Sequence, residues 1–221
     1  NPQHNPQHNP QHNPQHNPQH NPQHNPQAIP FSTKGIQALI VTHVHIDHVG
    51  RIPWLLAAGF DGPIICSQPS AKLLPLVLED AFKLGISRDR DLLQRYLKQI
   101  TSRLIAVPYK HWYSLLDTPD QQLRIRLQRA GHILGSAYVE VDCNNTRIVF
   151  SGDLGASHTP LLPAPKAPHK ADILVLESTY GNRNHEHRAT RKQRLKAAID
   201  RALHNQGSVL IPAFSIGRTQ E

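Results

Sequence analysis

Thr42-His43-Val44-His45-Ile46-Asp47-His48-Val49-Gly50 decides how this sequence is read. It follows Ala38-Leu39-Ile40-Val41, a short branched apolar run that predicts a buried strand. A strand ending in three histidines and an aspartate delivers those side chains together at one sheet edge. Imidazole nitrogen and carboxylate oxygen suit zinc and related borderline metals better than calcium or magnesium. Four potential ligands within six residues exceed what one tetrahedral site takes from a tight turn. The pattern points to two adjacent metals, His43 and His45 serving one, Asp47 and His48 the other. A surface cluster of histidines is the bland alternative. H-x-H alone would not exclude it, but H-x-H-x-D-H-x-G directly after a strand argues against it.

The segment resembles the signature of the metallo-β-lactamase superfamily, and two later stretches fit the same family. Ala130-Gly131-His132-Ile133-Leu134-Gly135-Ser136-Ala137 looks like its next ligand motif, and Phe150-Ser151-Gly152-Asp153-Leu154-Gly155 like the one after. Leu176-Glu177-Ser178-Thr179-Tyr180-Gly181 resembles motif A of the β-CASP branch, in the form carried by its RNA-processing nucleases. The resemblance implies an α/β fold, a metallo-β-lactamase-like αββα sandwich, with two zinc ions. By resemblance, His43, His45 and His132 hold the first zinc. Asp47 and His48 help hold the second, and Asp153 bridges both. Asp47 also orients the attacking water, and Glu177 steers a proton-donating histidine of an inserted domain, so both count as catalytic. The implied activity is hydrolysis of phosphodiester bonds, with RNA as the partner. A thioester or lactone hydrolase of the same fold would keep the first motif but has no reason to carry Glu-Ser-Thr-Tyr-Gly. A non-catalytic remnant that only binds metal is the other alternative.

The likeness runs from about Ala38 to Glu221. Complete family members begin with several strands and an early aspartate motif, and carry further histidine motifs in the inserted domain. The expectation is therefore a partial metallo-β-lactamase domain over residues 28–221, truncated at both ends. Its first strands and inserted β-CASP domain would be missing, its second zinc site incomplete and its activity impaired. Residues 1–27 are six copies of Asn-Pro-Gln-His followed by Asn-Pro-Gln. Proline at every fourth position and almost nothing apolar predict a disordered segment. Its histidines suit weak metal binding, but a functionless expansion of a short repeat unit is the favoured reading.

Among the 221 residues the net charge is +8, all of it after Gln27, which suits a polyanionic partner. Cys66 and Cys143 lack metal-type spacing and read as reduced and mostly buried. No apolar run has the length of a membrane span and no secretory signal is evident, so a cytoplasmic protein is expected.

Further along, Arg51 to Gly59 predicts a short helix and Pro63 to Cys66 a buried strand. Ser67 or Ser70 caps a helix bearing Leu73, Leu74, Val77, Leu78, Ala81 and Phe82, kinked near Pro75. Asp89 to Ile100 repeats the pattern with Leu92, Leu93, Tyr96, Leu97 and Ile100. Residues 104–150 predict strands, including a hairpin turning at Asn144-Asn145. Leu123 to Leu127 alternates apolar with basic residues, so one face is buried and the other wet. Tyr109, His111, Trp112 and Tyr113 form an aromatic cluster suited to packing, or to stacking on bases. Asp172 to Leu176 predicts a buried strand, Arg188 to His204 a basic amphipathic helix, and Gly207 to Phe214 one more strand.

Overall fold

The computed structural model describes residues 28–184 and 188–220; the repeat and the disorder expected of it lie outside them. Three parallel strands form a first sheet, β1 (Leu39–Ile40), β2 (Ile64–Ser67) and β3 (Leu104–Val107), in that order. Between them run the helices α1 (Ile46–Val49), α2 (Ile52–Ala57), α3 (Gln68–Gly85) and α4 (Arg90–Arg103). A second sheet is an antiparallel meander, β4 (Trp112–Asp117), β5 (Gln122–Arg129), β6 (Ala137–Cys143) and β7 (Thr146–Phe150). The strand β8 (Ile173–Val175) joins its far edge parallel to β7. A final helix, α5, spans Arg191–His204.

The middle strand β2 shows why the layers stack. It is buried at every position because both of its faces are covered. Alternation sends Ile64 and Cys66 toward the helices, with Leu74, Leu78, Phe82, Leu93 and Ile100. Ile65 points the other way, into Ile125, Leu127 and Val139 of the second sheet. Ser67 caps α3 by accepting from the Ser70 amide, and Asp89 caps α4 from Asp91 and Leu92. Phe82 stacks on Tyr96 with ring centroids 4.9 Å apart, locking α3 against α4. The hairpin turns where expected, Asn144 and Asn145 both taking positive φ as a two-residue turn demands.

Several expectations are corrected. Residues 207–214 form no strand, and Leu210 is 91% exposed. An extended run becomes a strand only beside a neighbour offering its own backbone groups, and this run has no ladder partner among the described residues. The apolar face of α5 is only partly covered, with Ala198, Ile199 and Ala202 half-buried but Leu195 and Leu203 exposed, and neither face of β8 is covered, with Ile173, Leu174 and Val175 all exposed. Leu92 falls in the first turn of α4 on its exposed side, and Cys143 sits exposed beside the hairpin turn. The outer face of the second sheet is not simply wet. Glu140 and Asp142 are buried there among Arg124, Arg126 and Arg147, and all three guanidiniums lie within 4.8 Å of the centre of the Trp112 ring. α3 runs through Pro75 as one element. No described helix is long and apolar enough to cross a membrane.

Two stability predictions follow from this packing. Leu74→Ala empties a fully buried position and should cost about 2–5 kcal/mol in urea unfolding. Leu84→Ala, on the outside of the same helix, should stay within about 0.5 kcal/mol; equal losses would mean that the core is misplaced. Asp142 is the second case. Burial alone would raise its pKa, but bonds from Arg147 at 2.6 Å and Arg124 at 3.3 Å outweigh it and hold the carboxyl below its ordinary range. Because the folded value is the lower one, this contribution is complete above the unfolded pKa of about 3.9 and fades as pH falls through the folded value. Asp142→Asn should lower stability at neutral pH and flatten the acid limb of the midpoint-versus-pH curve. An unaltered acid limb would count against the pairing.

Candidate metal centre

Loops from both sheets meet at one end of the sandwich. His43 follows β1, His45 is the N-cap of α1, and His48 lies within that helix. His132 comes from the β5–β6 connection and Asp153 from the loop after β7. Main-chain bonds tie these loops together, the Ala137 amide donating to Thr42 and the Gly155 amide to Ala130, each at 2.8 Å. Ser136 Oγ accepts from the amides of His132 and Ile133, and the hydroxyls of Ser67 and Ser70 donate to the Gly135 carbonyl. Two glycines are obligatory. Gly152 has φ +53° against Thr42, and a Cβ at Gly155 would overlap the Gly131 carbonyl oxygen.

The result is four imidazoles and a carboxylate around one small space. Ring centroids of His43 lie 4.9 Å from His45, 4.0 Å from His48 and 4.9 Å from His132. Asp153 Oδ2 stands 3.8 Å from His43 Nε2 and 3.6 Å from His132 Nε2, while Oδ1 stands 3.4 Å from His48 Nε2. Two donor groups result, His43–His45–His132 and His43–His48–Asp153, with ligand atoms inside each no more than 4.8 Å apart. They share His43.

The electrostatics fit a cation. His43 Nε2 is buried and has no hydrogen-bond partner. Burial first, then the neighbouring His48, His132 and His45, push its pKa down to about 3, so its lone pair stays free at neutral pH. His132 is shifted downward too, by burial and His45, against the opposing pull of Asp153 and Glu177. His45 Nε2 faces the Ile216 carbonyl at 3.4 Å. A carbonyl only accepts, so this contact suits the tautomer with its proton on Nε2, in which the Nδ1 lone pair faces the space shared with His132 Nε2, 3.1 Å away. Lone pairs from several imidazoles converging beside a carboxylate suit a borderline divalent metal.

Five of the six expected ligands are thus brought together. The sixth, Asp47, is 74% exposed, turned toward His48 at 3.4 Å and outside both groups. Glu177 lies at the end of β8, its Oε1 accepting from the Leu154 amide at 2.7 Å. Burial would raise its pKa, but bonds from Leu154 and Thr179, with His132 nearby, hold it below the ordinary carboxylate range. Tyr109 and Trp112 are engaged in packing beneath arginines. Thr42, Ser136 and Ser151 support the site from within or beside the motifs. The Ile216 carbonyl could not be read from sequence, because every residue carries one.

The family model described as the metallo-beta-lactamase superfamily matches residues 17–201. A ribonuclease of Thermus thermophilus is 34% identical over 192 residues, covering 86% of this chain and 43% of the relative. Cleavage and polyadenylation specificity factor subunit 3-II of Arabidopsis thaliana is 32% identical, covering 85% and 31%. The transcription termination factor FttA of Pyrococcus abyssi is 37% identical, covering 84% and 29%. The chain spans less than half the length of each of these relatives.

Zinc content tests the grouping. Asp153→Ala should reduce bound zinc per chain, measured by elemental analysis, whereas His158→Ala, on the neighbouring loop, should not. Equal losses from the two would overturn the donor assignment.

Proposed function

The chain belongs to the metallo-beta-lactamase superfamily, and from that premise we propose that it carries the zinc-binding part of an RNA phosphodiester hydrolase. The observation that supports this most is the pair of donor groups meeting on a buried imidazole. Zinc is the ion that suits three imidazoles in one group and two imidazoles with a carboxylate in the other. Bound there, it would lower the pKa of water to about 7 and polarise a phosphoryl oxygen. The protein's own part is to hold and aim. His43, His45 and His132 form one cradle, and His48 and Asp153 extend it into a second. To Asp47, exposed at the rim 3.4 Å from His48, this reading assigns the orienting of an incoming nucleophile.

RNA as substrate rests on the relatives, whose names are those of a ribonuclease, a cleavage and polyadenylation factor and a transcription termination factor. The excess of +8 charges supports it by drawing a polyanion toward the chain. A cytoplasmic site of action accords with such a substrate.

Labelled single-stranded RNA incubated with the zinc-loaded chain should be shortened. His48→Ala should slow cleavage by more than the about 10–100-fold expected of an outer-shell change. Cleavage unaffected by His48→Ala would identify a contaminant. A zinc-replete chain that leaves RNA intact would sink the hydrolase reading while leaving the metal centre standing.

A further inference from the structure

The carboxylate of Glu177 is occupied by its own backbone surroundings. Oε1 takes the Leu154 amide at 2.7 Å, and the amide and hydroxyl of Thr179 also donate to the carboxylate. The Glu177 amide in turn donates to Ser151 Oγ at 2.9 Å, and that hydroxyl donates to the Gly152 carbonyl at 2.6 Å. The Ser151 amide reaches back to the Val175 carbonyl at 2.9 Å. Every residue from Ser151 to Leu154 except Asp153 is thereby bonded to the end of β8 or to its neighbour in the loop. Asp153 is the one that faces the histidines.

We propose that Glu177 is a positioning residue that pins the Leu154 amide and so aims the Asp153 carboxylate into the metal centre. The peptide joining Asp153 to Leu154 is planar, so fixing its N–H fixes the Asp153 carbonyl carbon and Cα; with Ser151 and Gly152 bonded on the other side, the backbone of Asp153 is held from both ends and its side chain keeps one direction. A carboxylate accepting three donors has no proton of its own to give, which separates this role from acid catalysis. The role rests on the metal-centre reading but not on RNA cleavage, and it is tested by metal binding alone.

Cobalt(II) chloride titrated into the chain, followed by the visible absorption of the bound ion, reports occupancy and ligand geometry together. Glu177→Gln keeps an oxygen at the Oε1 position for the Leu154 N–H while removing the charge, and it should bind within a few-fold of the parent with an unshifted spectrum. Glu177→Ala should lose about 10–100-fold in affinity, the range for outer-shell partners of metal ligands. If Glu177 acts through Asp153, Asp153→Ala/Glu177→Ala should bind no worse than Asp153→Ala alone. Gln as poor as Ala, or losses that simply add, would overturn the proposal in favour of a direct effect of the charge on His132. Full binding by Glu177→Ala would overturn it outright. A parent chain that binds no cobalt would refute the metal centre itself. Should Glu177→Ala fail to fold, the Gln arm still decides, because a tenfold loss there is incompatible with pinning through Oε1.

Discussion

His43 Nε2 is a buried ring nitrogen with nothing to bond to, and the arrangement around it turns on that fact. An unsatisfied buried polar atom costs about 1–3 kcal/mol, and here three more imidazoles crowd the same space without relieving it. Protonation gives no relief, because burial and the neighbouring rings have already driven the His43 pKa down to about 3. What relieves a convergence of lone pairs is a shared cation. The rest of the architecture makes sense as a frame that keeps those lone pairs from turning away.

That frame is built mainly from backbone. The His132 loop is closed by Ser136 Oγ and anchored to the start of α3 through Ser67 and Ser70 on the Gly135 carbonyl. The Asp153 loop lies so close to it that Gly155 has no room for a side chain. Each sheet thus contributes one wall; the bond from Ala137 to Thr42 ties the two together, and that from Gly155 to Ala130 joins the His132 and Asp153 loops. Loops held by main-chain bonds on sheet ends can keep several ligands within an ångström or so of a working geometry, which isolated flexible side chains cannot.

How much of this was legible in the sequence depends on whether a feature is carried by side chains or by partners. The run from His43 to His48 declares itself, because three histidines and an aspartate in that order have few other reasons to follow a strand. The core stripes of α3 and α4 declare themselves through their helical period, apart from Leu92, whose place in the first turn of α4 leaves it outside. The failure at residues 207–214 is of another kind. Their composition is that of a strand, but a strand is a relation between two segments, and composition names only one of them. Asp47 shows the same limit in miniature. It sits between two histidines in the sequence, yet one turn of helix directs it to solvent while His48 turns inward.

Charge was the least specific of the sequence signals, and the second sheet shows why. Arg124, Arg126 and Arg147 look from sequence like part of a basic surface. In the fold they share the face of Trp112 and pair with Glu140 and Asp142. Three guanidiniums against two carboxylates leave a single positive charge there, with Arg126 and Arg147 mostly covered and Arg124 nearly half exposed. Lys196 is likewise matched by Asp200 on α5. The net excess of +8 still attracts a polyanion at long range, since a distant phosphate responds to the sum of charges rather than to their pairing. Within a Debye length of about 8 Å at physiological salt, the pairing governs. Long-range attraction to RNA and contact with it are therefore separate properties of this chain. The first follows from composition alone, whereas the second has to be built from cations that the fold leaves facing outward.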